Sequence, residues 1–497
     1  MKWTLYNVLF ALVYPFLLPG FLVRMLRRGG YAARMGDRFA LYPDGLFGKD
    51  RPLFDSHAQQ SNNRTIEQSN NSPVWIHAVS VGEVQVAGQL MREWRKVEPT
   101  VRFCFSTTSS TGWKIAEKEL ASLILSTSQP SQPSQPSQPS QPSQPHNLST
   151  SSDVLIYNPL DFPNFVKSAL RTVRPRAIVL TESEIWPNFI LQAKKMGIPL
   201  FLINARVSDR SAPRYKAARW FFGDVLSSFT RIFAQSDLDK ARLVAAGAPD
   251  EKVEVTGSFK FDVAHRNEAK EKELREWIFP AGTTENAESA NILLGGSTWP
   301  GEDEVLLKIY KRLLSLKPQT SNLKLVIAPR HFEKADAVEA NIRKAGFGCI
   351  RRSKSNNRTI EQSNNVFLAD TTGELMGLYG IADVVFVGKS LCAHGSQNMI
   401  EPCLCGKPTF VGPYTENFRP VMSDLLAADA IVQVKDAEEL ERGIVELFAS
   451  LTSGKDSASP LIGGKDSASL LGARAKAAVE KRLGVVAKCV SEIRGVL

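Results

Sequence analysis

Short apolar runs rich in β-branched residues alternate with amphipathic stretches through most of the chain. In the first half, runs at Val74–Ala78, Val101–Ser106, Val154–Tyr157, Ala177–Leu180 and Pro199–Ile203 predict strands. Between the last two, PNFILQAKKMG opens with Pro187 and closes on Gly197, the asymmetry of a helix with proline near its start and glycine past its end. Strand, helix and strand within about thirty residues make a βαβ unit, hence a parallel sheet with covered faces. RIFAQS and VEVTGS extend the pattern to Ser258. The charged stretch AHRNEAKEKELREW then precedes a second series: NILLGGST, LKLVIAPRH, ADVVFVGKS, PTFVGP and AIVQV. The predicted fold class is α/β, two Rossmann-like halves with a linker near residues 260–285. Ligands of such sheets sit beyond the carboxyl ends of the strands.

Polar repeats interrupt this pattern. Six tandem Ser-Gln-Pro units fill Ser128 to Pro145, a composition that buries no core. SNNRTIEQSNN occurs at Ser61–Asn71 and again at Ser355–Asn365, and GKDSAS at Gly454–Ser459 and Gly464–Ser469. The sequence around the copies does not repeat, so they are polar insertions and not a solenoid. The N-terminus departs in the opposite direction. Trp3 to Val23 holds 21 residues without a charge, close to the roughly 20 that span a bilayer. Arg24, Arg27, Arg28, Arg34 and Arg38 follow it and only Lys2 precedes it, which places the bulk of the chain in the cytoplasm. Pro15, Pro19 and Gly20 interrupt the segment, so a kinked anchor in the interface competes with a spanning helix.

Composition narrows the partners. The 497 residues are enough for two domains with real cores. A net charge of +10 points to an anionic partner, a phosphate-bearing substrate or an acidic membrane surface. No long basic run or aromatic-basic module speaks for nucleic acid. The six cysteines form no Cys-x-x-Cys pair and no zinc spacing, which reads as reduced structural thiols.

The strand ends carry the candidate chemistry. VWIHAVSVGEV closes a strand on Ser80, Gly82 and Glu83, and Val84, Ala87, Leu90, Met91 and Trp94 follow at helical spacing. Ser80-Val81-Gly82-Glu83 is a capping box, whose two side chains satisfy free N–H groups of the helix start. The same geometry suits a base: the helix dipole favours the charged carboxylate, which can accept a proton from an alcohol. Gly82 leaves space for a substrate, and both readings stand on the sequence alone. VLTESEIWPNF puts Glu182 and Glu184 on one side of another strand exit, beside Trp186 and Asn188. That set suits a hydroxyl-rich ligand or an ordinary solvated loop. Arg206, Arg210, Arg214 and Lys216 follow the next strand, either as a solvated face or as a holder of lipid phosphates.

In the second half, GGSTWPGEDE places Gly295, Gly296, Ser297 and Thr298 at a strand-to-helix turn, in principle a phosphate cradle. Arg330 and His331 stand at the next exit, where an arginine can pair with phosphate. GKSLCAHGSQNMIEP gathers Gly388, Ser390, His394, Gly395, Gln397, Asn398 and Glu401 around a polar loop that opens a helix. A carboxylate on that helix can accept hydrogen bonds from both hydroxyls of a ribose. Neither the Gly-x-Gly-x-x-Gly fingerprint nor a P-loop is present, which disfavours a nicotinamide, flavin or P-loop enzyme.

In order and approximate spacing, HAVSVGEV, TESEIWPN, NARVSDRS, GST, APRH and NMIEP followed by GKPTFVGPYTENF resemble the 3-deoxy-D-manno-octulosonic acid (Kdo) transferases of lipopolysaccharide assembly. The resemblance runs from the N-terminal segment to about Phe418. It implies the GT-B fold: a membrane anchor at 1–28, an acceptor domain at 29–265 with the 128–145 insertion, and a CMP-Kdo-binding domain at 286–497, the two domains facing a cleft. It also implies inverting transfer of Kdo from CMP-Kdo to the lipid A precursor, at the cytoplasmic face of the inner membrane. No cofactor and no metal are expected, consistent with the absence of an Asp-x-Asp motif. By the same resemblance Glu83 is the general base, and one of Glu182 and Glu184 is a second essential acid. Ser297, Thr298, Arg330, Ser390, Asn398 and Glu401 match positions that line the donor nucleotide, and Arg206, Arg210 and Arg214 are candidates for acceptor phosphates. The chain departs from the family at Gly395-Ser396-Gln397-Asn398, where Gly-Gly-His-Asn is usual, so no histidine role carries over to Gln397. Two other readings compete: a membrane-associated GT-B enzyme using a different nucleotide sugar, and a non-catalytic tethered binding protein.

Overall fold

The computed structural model describes residues 2–4, 6–13, 16, 32–47, 72–127, 153–262, 266–280, 290–316, 323–354, 365–453 and 468–497. The Ser-Gln-Pro insertion, the first undecapeptide copy and nearly all of the second lie outside the described residues, as do most of both GKDSAS copies and residues 17–28 of the expected anchor. Two compact units divide the chain: Met1–Phe259 with Gly484–Leu497, and Lys260–Leu483.

The first unit holds β1 (Val74–His77), β2 (Phe103–Thr107), β3 (Val154–Tyr157), β4 (Ala177–Thr181), β5 (Leu200–Ala205), β6 (Arg231–Ala234) and β7 (Val253–Val255). Their order is β3-β2-β1-β4-β5-β6-β7, and every pairing is parallel. Because strand side chains alternate, one sequence run feeds two cores. Trp75, Ile178, Leu180 and Leu202 pack on one face with Phe189. Val74, Ile76, Phe103, Val179 and Phe201 pack on the other, beneath Val84, Leu90 and Trp94.

The second unit repeats the plan with β8 (Asn291–Thr298), β9 (Leu323–Pro329), β10 (Gly348–Arg351), β11 (Asn365–Leu368), β12 (Val384–Val387), β13 (Thr409–Val411) and β14 (Val432–Gln433). The order is β10-β11-β9-β8-β12-β13-β14, again wholly parallel. In each sheet the chain steps outward from a central strand and then resumes on that strand's other side. These topological switch points lie between β1 and β4 and between β8 and β12, and open α/β sheets hold their ligands outside such points.

Three features differ from the sequence expectation. The last helix, Val485–Val496, belongs to the first unit and not to the 286–497 domain, because its stripe of Val485, Val486, Cys489, Val490 and Ile493 completes the core around Val84 and Trp94. The boundary falls at Phe259, and the charged stretch expected as linker forms the helix Glu268–Ile278, whose Leu274 and Trp277 are buried in the second unit. Strands β10 and β11 were not expected. Each has only four residues, and they flank the second polar repeat, which hides their apolar character.

Candidate active site

The exit of β1 turns directly into the helix Val81–Val97, and Ser80 is its N-cap with extended backbone angles. The serine half of the capping box forms, and the glutamate reaches one residue further back, to Val79. Ser80 Oγ accepts from the Glu83 amide at 3.2 Å and donates to Glu83 Oε1 at 2.7 Å. Glu83 Oε2 accepts from the Val79 amide at 3.0 Å and lies 3.2 Å from Thr181 Oγ1, at the end of β4. Glu83 is 8% exposed, while Ser80, Val81 and Gly82 around it are exposed and nothing stands within 4 Å of a Cβ built on Gly82. Glu83 is thus held by the Ser80 hydroxyl and lies beside that of Thr181, whose single hydrogen is shared with the nearer His77 carbonyl at 3.0 Å, next to an open glycine edge. Capping does not exclude proton transfer.

Glu182 and Glu184 leave the adjacent β4, which places both acids at the same switch point as Glu83. Their surroundings differ. Glu182 has a left-handed backbone (φ 51°), pairs with Arg206 Nε at 2.9 Å and receives a long contact from the Asn204 amide at 3.4 Å. Glu184 accepts from Trp186 Nε1 at 2.9 Å and faces His77 Nε2 at 3.8 Å. Burial first and then the Glu184 charge push the Tyr215 hydroxyl up, which puts Tyr215 on the same side. Arg206 is therefore partly committed to Glu182, whereas Arg210, Arg214 and Lys216 are exposed.

In the second unit the ends of β8, β9 and β12 converge. Ser297, in a left-handed conformation (φ 52°), and Thr298 close β8 after a register shift against β9, and the Arg330 amide binds the Thr298 carbonyl at 3.0 Å. Gly388 is obligatory here, since a Cβ would come within 2.4 Å of the Ser297 carbonyl oxygen. Asn398 donates to Glu401 Oε1 at 2.9 Å and accepts from the Ile400 amide at 3.1 Å. Burial raises the Glu401 carboxyl above its ordinary range, against the Asn398 hydrogen bond and the nearby Arg330 charge. Arg330, Asn398 and Glu401 thus share one locale, with Arg330 exposed to receive an anion.

The amide that follows the expected Ser297–Thr298 cradle, that of Trp299, is taken from within. Glu302, fully buried at the start of the helix Glu302–Leu316, accepts from the amides of Trp299 (2.7 Å), Lys389 (2.8 Å), Ser390 (3.1 Å), Leu391 (3.1 Å) and Cys392 (3.4 Å). Ser390 is likewise a strut: its hydroxyl donates to the Val387 carbonyl and accepts from the Gly412 amide, with no exposed surface. Neither the Trp299 amide nor the Ser390 hydroxyl remains free for a donor phosphate. Sequence reasoning missed Glu302, because four of its five partners lie about ninety residues away; an acid in the first helical turn was the one available signal. It also missed Thr181 and His77. His394, beside the unusual Gly395-Ser396-Gln397 run, is exposed and bound to Glu416 Oε1 at 2.7 Å over the Tyr414 ring.

Among the described residues no helix is long and apolar enough to cross a membrane. The described N-terminal residues instead pack on the first unit. The Trp3 ring centroid lies 4.9 Å from Phe221 and that of Phe10 5.0 Å from Phe162, and Asn7 accepts from Asn188 Nδ2 at 2.8 Å. Val8, Leu9, Leu12, Val13 and Phe16 remain exposed, as does Trp220.

Comparisons with known proteins agree with this architecture. The model of the family described as 3-deoxy-D-manno-octulosonic-acid transferase (kdotransferase) matches residues 34–263. The chain is 32% identical to 3-deoxy-D-manno-octulosonic acid transferase of Bordetella pertussis over 381 residues, 76% of this chain and 80% of that one. It is 29% identical to a bifunctional glycosyltransferase/methyltransferase of Fusobacterium nucleatum over 75% of its own length, and spans about half (52%) of that larger protein. Among solved structures, a glycosyltransferase from Rickettsia africae superposes with a TM-score of 0.51 at 13% identity, covering 85% of this chain and 98% of that one, which is a likeness of fold.

Proposed function

The chain belongs to the 3-deoxy-D-manno-octulosonic acid transferase family, and from that membership we propose that it transfers Kdo from CMP-Kdo to the lipid A precursor. The observation that carries the reading is Glu83: a carboxylate at the switch point of the first sheet, oriented by Val79, Ser80 and Thr181 beside the open edge of Gly82. In the proposed reaction Glu83 takes the proton of an acceptor sugar hydroxyl. The hydroxyl oxygen forms its new bond to the anomeric carbon of Kdo, on the face opposite CMP, as the bond from that carbon to the phosphate oxygen breaks. The leaving phosphate carries the charge that Arg330 is exposed to meet, a preorganised electrostatic contribution. Asn398 and Glu401 would hold the ribose, and the hydroxyls of Ser297 and Thr298 would serve the same donor. No step requires a metal or a cofactor.

The acceptor is a phosphorylated lipid, and the surface of the first unit supports a membrane-bound reaction. Val8, Leu9, Leu12, Val13, Phe16 and Trp220 offer apolar side chains to an interface, and exposed Arg210, Arg214 and Lys216 offer charge to anionic headgroups or to the acceptor's phosphates. The proposed location is the cytoplasmic face of the inner membrane. Nucleotide release tests the donor assignment: with lipid A precursor in detergent, CMP-Kdo should yield CMP while UDP-sugars yield no UDP. Release of UDP, or no release from CMP-Kdo, would overturn it.

A further inference from the structure

Lys389 stands just past the end of β12, at the switch point of the second sheet, in a left-handed backbone conformation (φ 55°). Its backbone is fixed from both sides. The amide is one of those that Glu302 binds, at 2.8 Å, and the carbonyl accepts from the Ser396 amide at 2.8 Å. The clamp on Glu302 thus comes with a left-handed residue, and glycine would adopt that conformation without steric cost. A lysine does so with its Cβ crowding the backbone. A residue held against its own preference at a ligand-binding strand exit points to work for its side chain.

That side chain is held in place without being neutralised. Nζ lies 5.1 Å from the centroid of the Trp299 ring, a cation–π contact that leaves the three ammonium hydrogens free to be donated. Among the described residues, no carboxylate forms an ion pair with Lys389, and none does with Arg330. Other cations of the same unit are spent: Lys270, Arg351 and Arg352 each pair with two or more carboxylates. The Trp299 ring also packs on that of His331, its centroid 5.0 Å away, next to Arg330. In the sheet β8 lies between β9 and β12. The exit of β8 therefore carries an unpaired cation on either side, Arg330 from β9 and Lys389 from β12. Two such cations astride one strand end fit a ligand with two anionic groups.

The geometry points to Lys389 as the specificity residue for the donor sugar, its ammonium reading the carboxylate of Kdo while Arg330 meets the phosphate. The inference rests on the transferase reading and deepens it. Kdo is an ulosonic acid, so its carboxylate is bonded to the same anomeric carbon that bears the phosphate. A donor lying across the end of β8 presents both anions there. Arg330 acts electrostatically on Glu401, the proposed holder of the ribose, and so serves the nucleotide side. Lys389 is left for the sugar. A neutral sugar on the same nucleotide would leave the ammonium without a counterion, so the pair of cations selects an acidic donor.

Two substitutions remove the charge in different ways. Lys389→Gly takes the left-handed backbone freely, and Lys389→Met keeps an apolar stem over Trp299. Both should raise KM for CMP-Kdo about 10-fold to 100-fold, the range for losing a hydrogen bond to a charged group. CMP is the control, because it has the ribose and the phosphate but no carboxylate: its inhibition constant should be the same for both variants and the wild type. A wild-type KM for CMP-Kdo in either folded variant would overturn the inference. Equal weakening of CMP and CMP-Kdo would also overturn it, since Lys389 would then hold the phosphate. CMP release by the wild type decides the transferase reading separately, so the two failures are distinguishable.

Discussion

The two sheets place a glutamate at the same architectural point, just past the first strand to reach the switch point, and use it differently. Glu83 follows β1 and Glu302 follows β8, each in the first turn of the next helix and each buried. Glu302 is surrounded by five backbone amides from two loops. An amide hydrogen cannot turn away or be exchanged with a substrate during turnover, so this carboxylate is a permanent clamp. Glu83 has one amide and two hydroxyls, from Ser80 and Thr181. Hydroxyl hydrogens rotate, so the carboxylate can be released to accept a proton. On the proposed reaction, the partner set, not burial or position, separates a base from a strut.

Substitutions can break or sharpen that contrast. The largest expected effect is on rate: Glu83→Gln keeps a side chain that can cap the helix but removes the proposed base, and transfer should fall about 10²–10⁴-fold while the thermal unfolding midpoint stays within error. The mirror-image result is expected for Glu302→Ala. Five amides lose their acceptor, and the variant should be destabilised by roughly 3 kcal/mol or more in denaturant unfolding, the penalty for orphaned buried donors being about 1–3 kcal/mol each before relaxation. Loss of rate without loss of stability in that variant would erase the distinction.

Thr181→Val keeps the shape but deletes one of the two hydroxyls at Glu83. Stability should fall by about 1 kcal/mol, and transfer several-fold, measured side by side with the wild type. The smallest effect concerns Asp161, which, like Glu302, accepts backbone amides, those of Asn188 at 3.0 Å and Phe189 at 2.8 Å. Burial outweighs them and raises its carboxyl to about 7 from 3.8. The folded protein therefore binds this proton more tightly than the unfolded chain does. The stability it contributes is fully present below the unfolded value and is lost as pH rises through about 7. From pH 6 to 8 the wild type should lose roughly 1 kcal/mol that Asp161→Asn does not lose, read from urea midpoints at several pH values.

The contrast also shows what a sequence can reveal. Ser80-Val81-Gly82-Glu83 is a local pattern, and its capping box and position at a strand exit are both visible without coordinates. The same holds for the apolar runs that build two parallel sheets, because strands buried on both faces read as continuous apolar stretches. Glu302 is different: four of the five amides it binds lie at 389–392, and only the folding of β12 beside β8 brings them to it. Ser390 follows the same logic, since a hydroxyl spent on Val387 and Gly412 is a property of packing. The terminal helix Val485–Val496 was not read from the sequence, and its apolar stripe alone does not name the core it completes.

Mass spectrometry of the lipid A precursor after incubation with CMP-Kdo, run with wild-type and Glu83→Gln protein at equal amounts of folded enzyme, tests the central claim most directly. The wild type should add Kdo to the lipid, and the variant should add almost none in the same time. Equal addition by both proteins would leave Glu83 as a cap alone, and no addition by the wild type would contradict the proposed reaction itself.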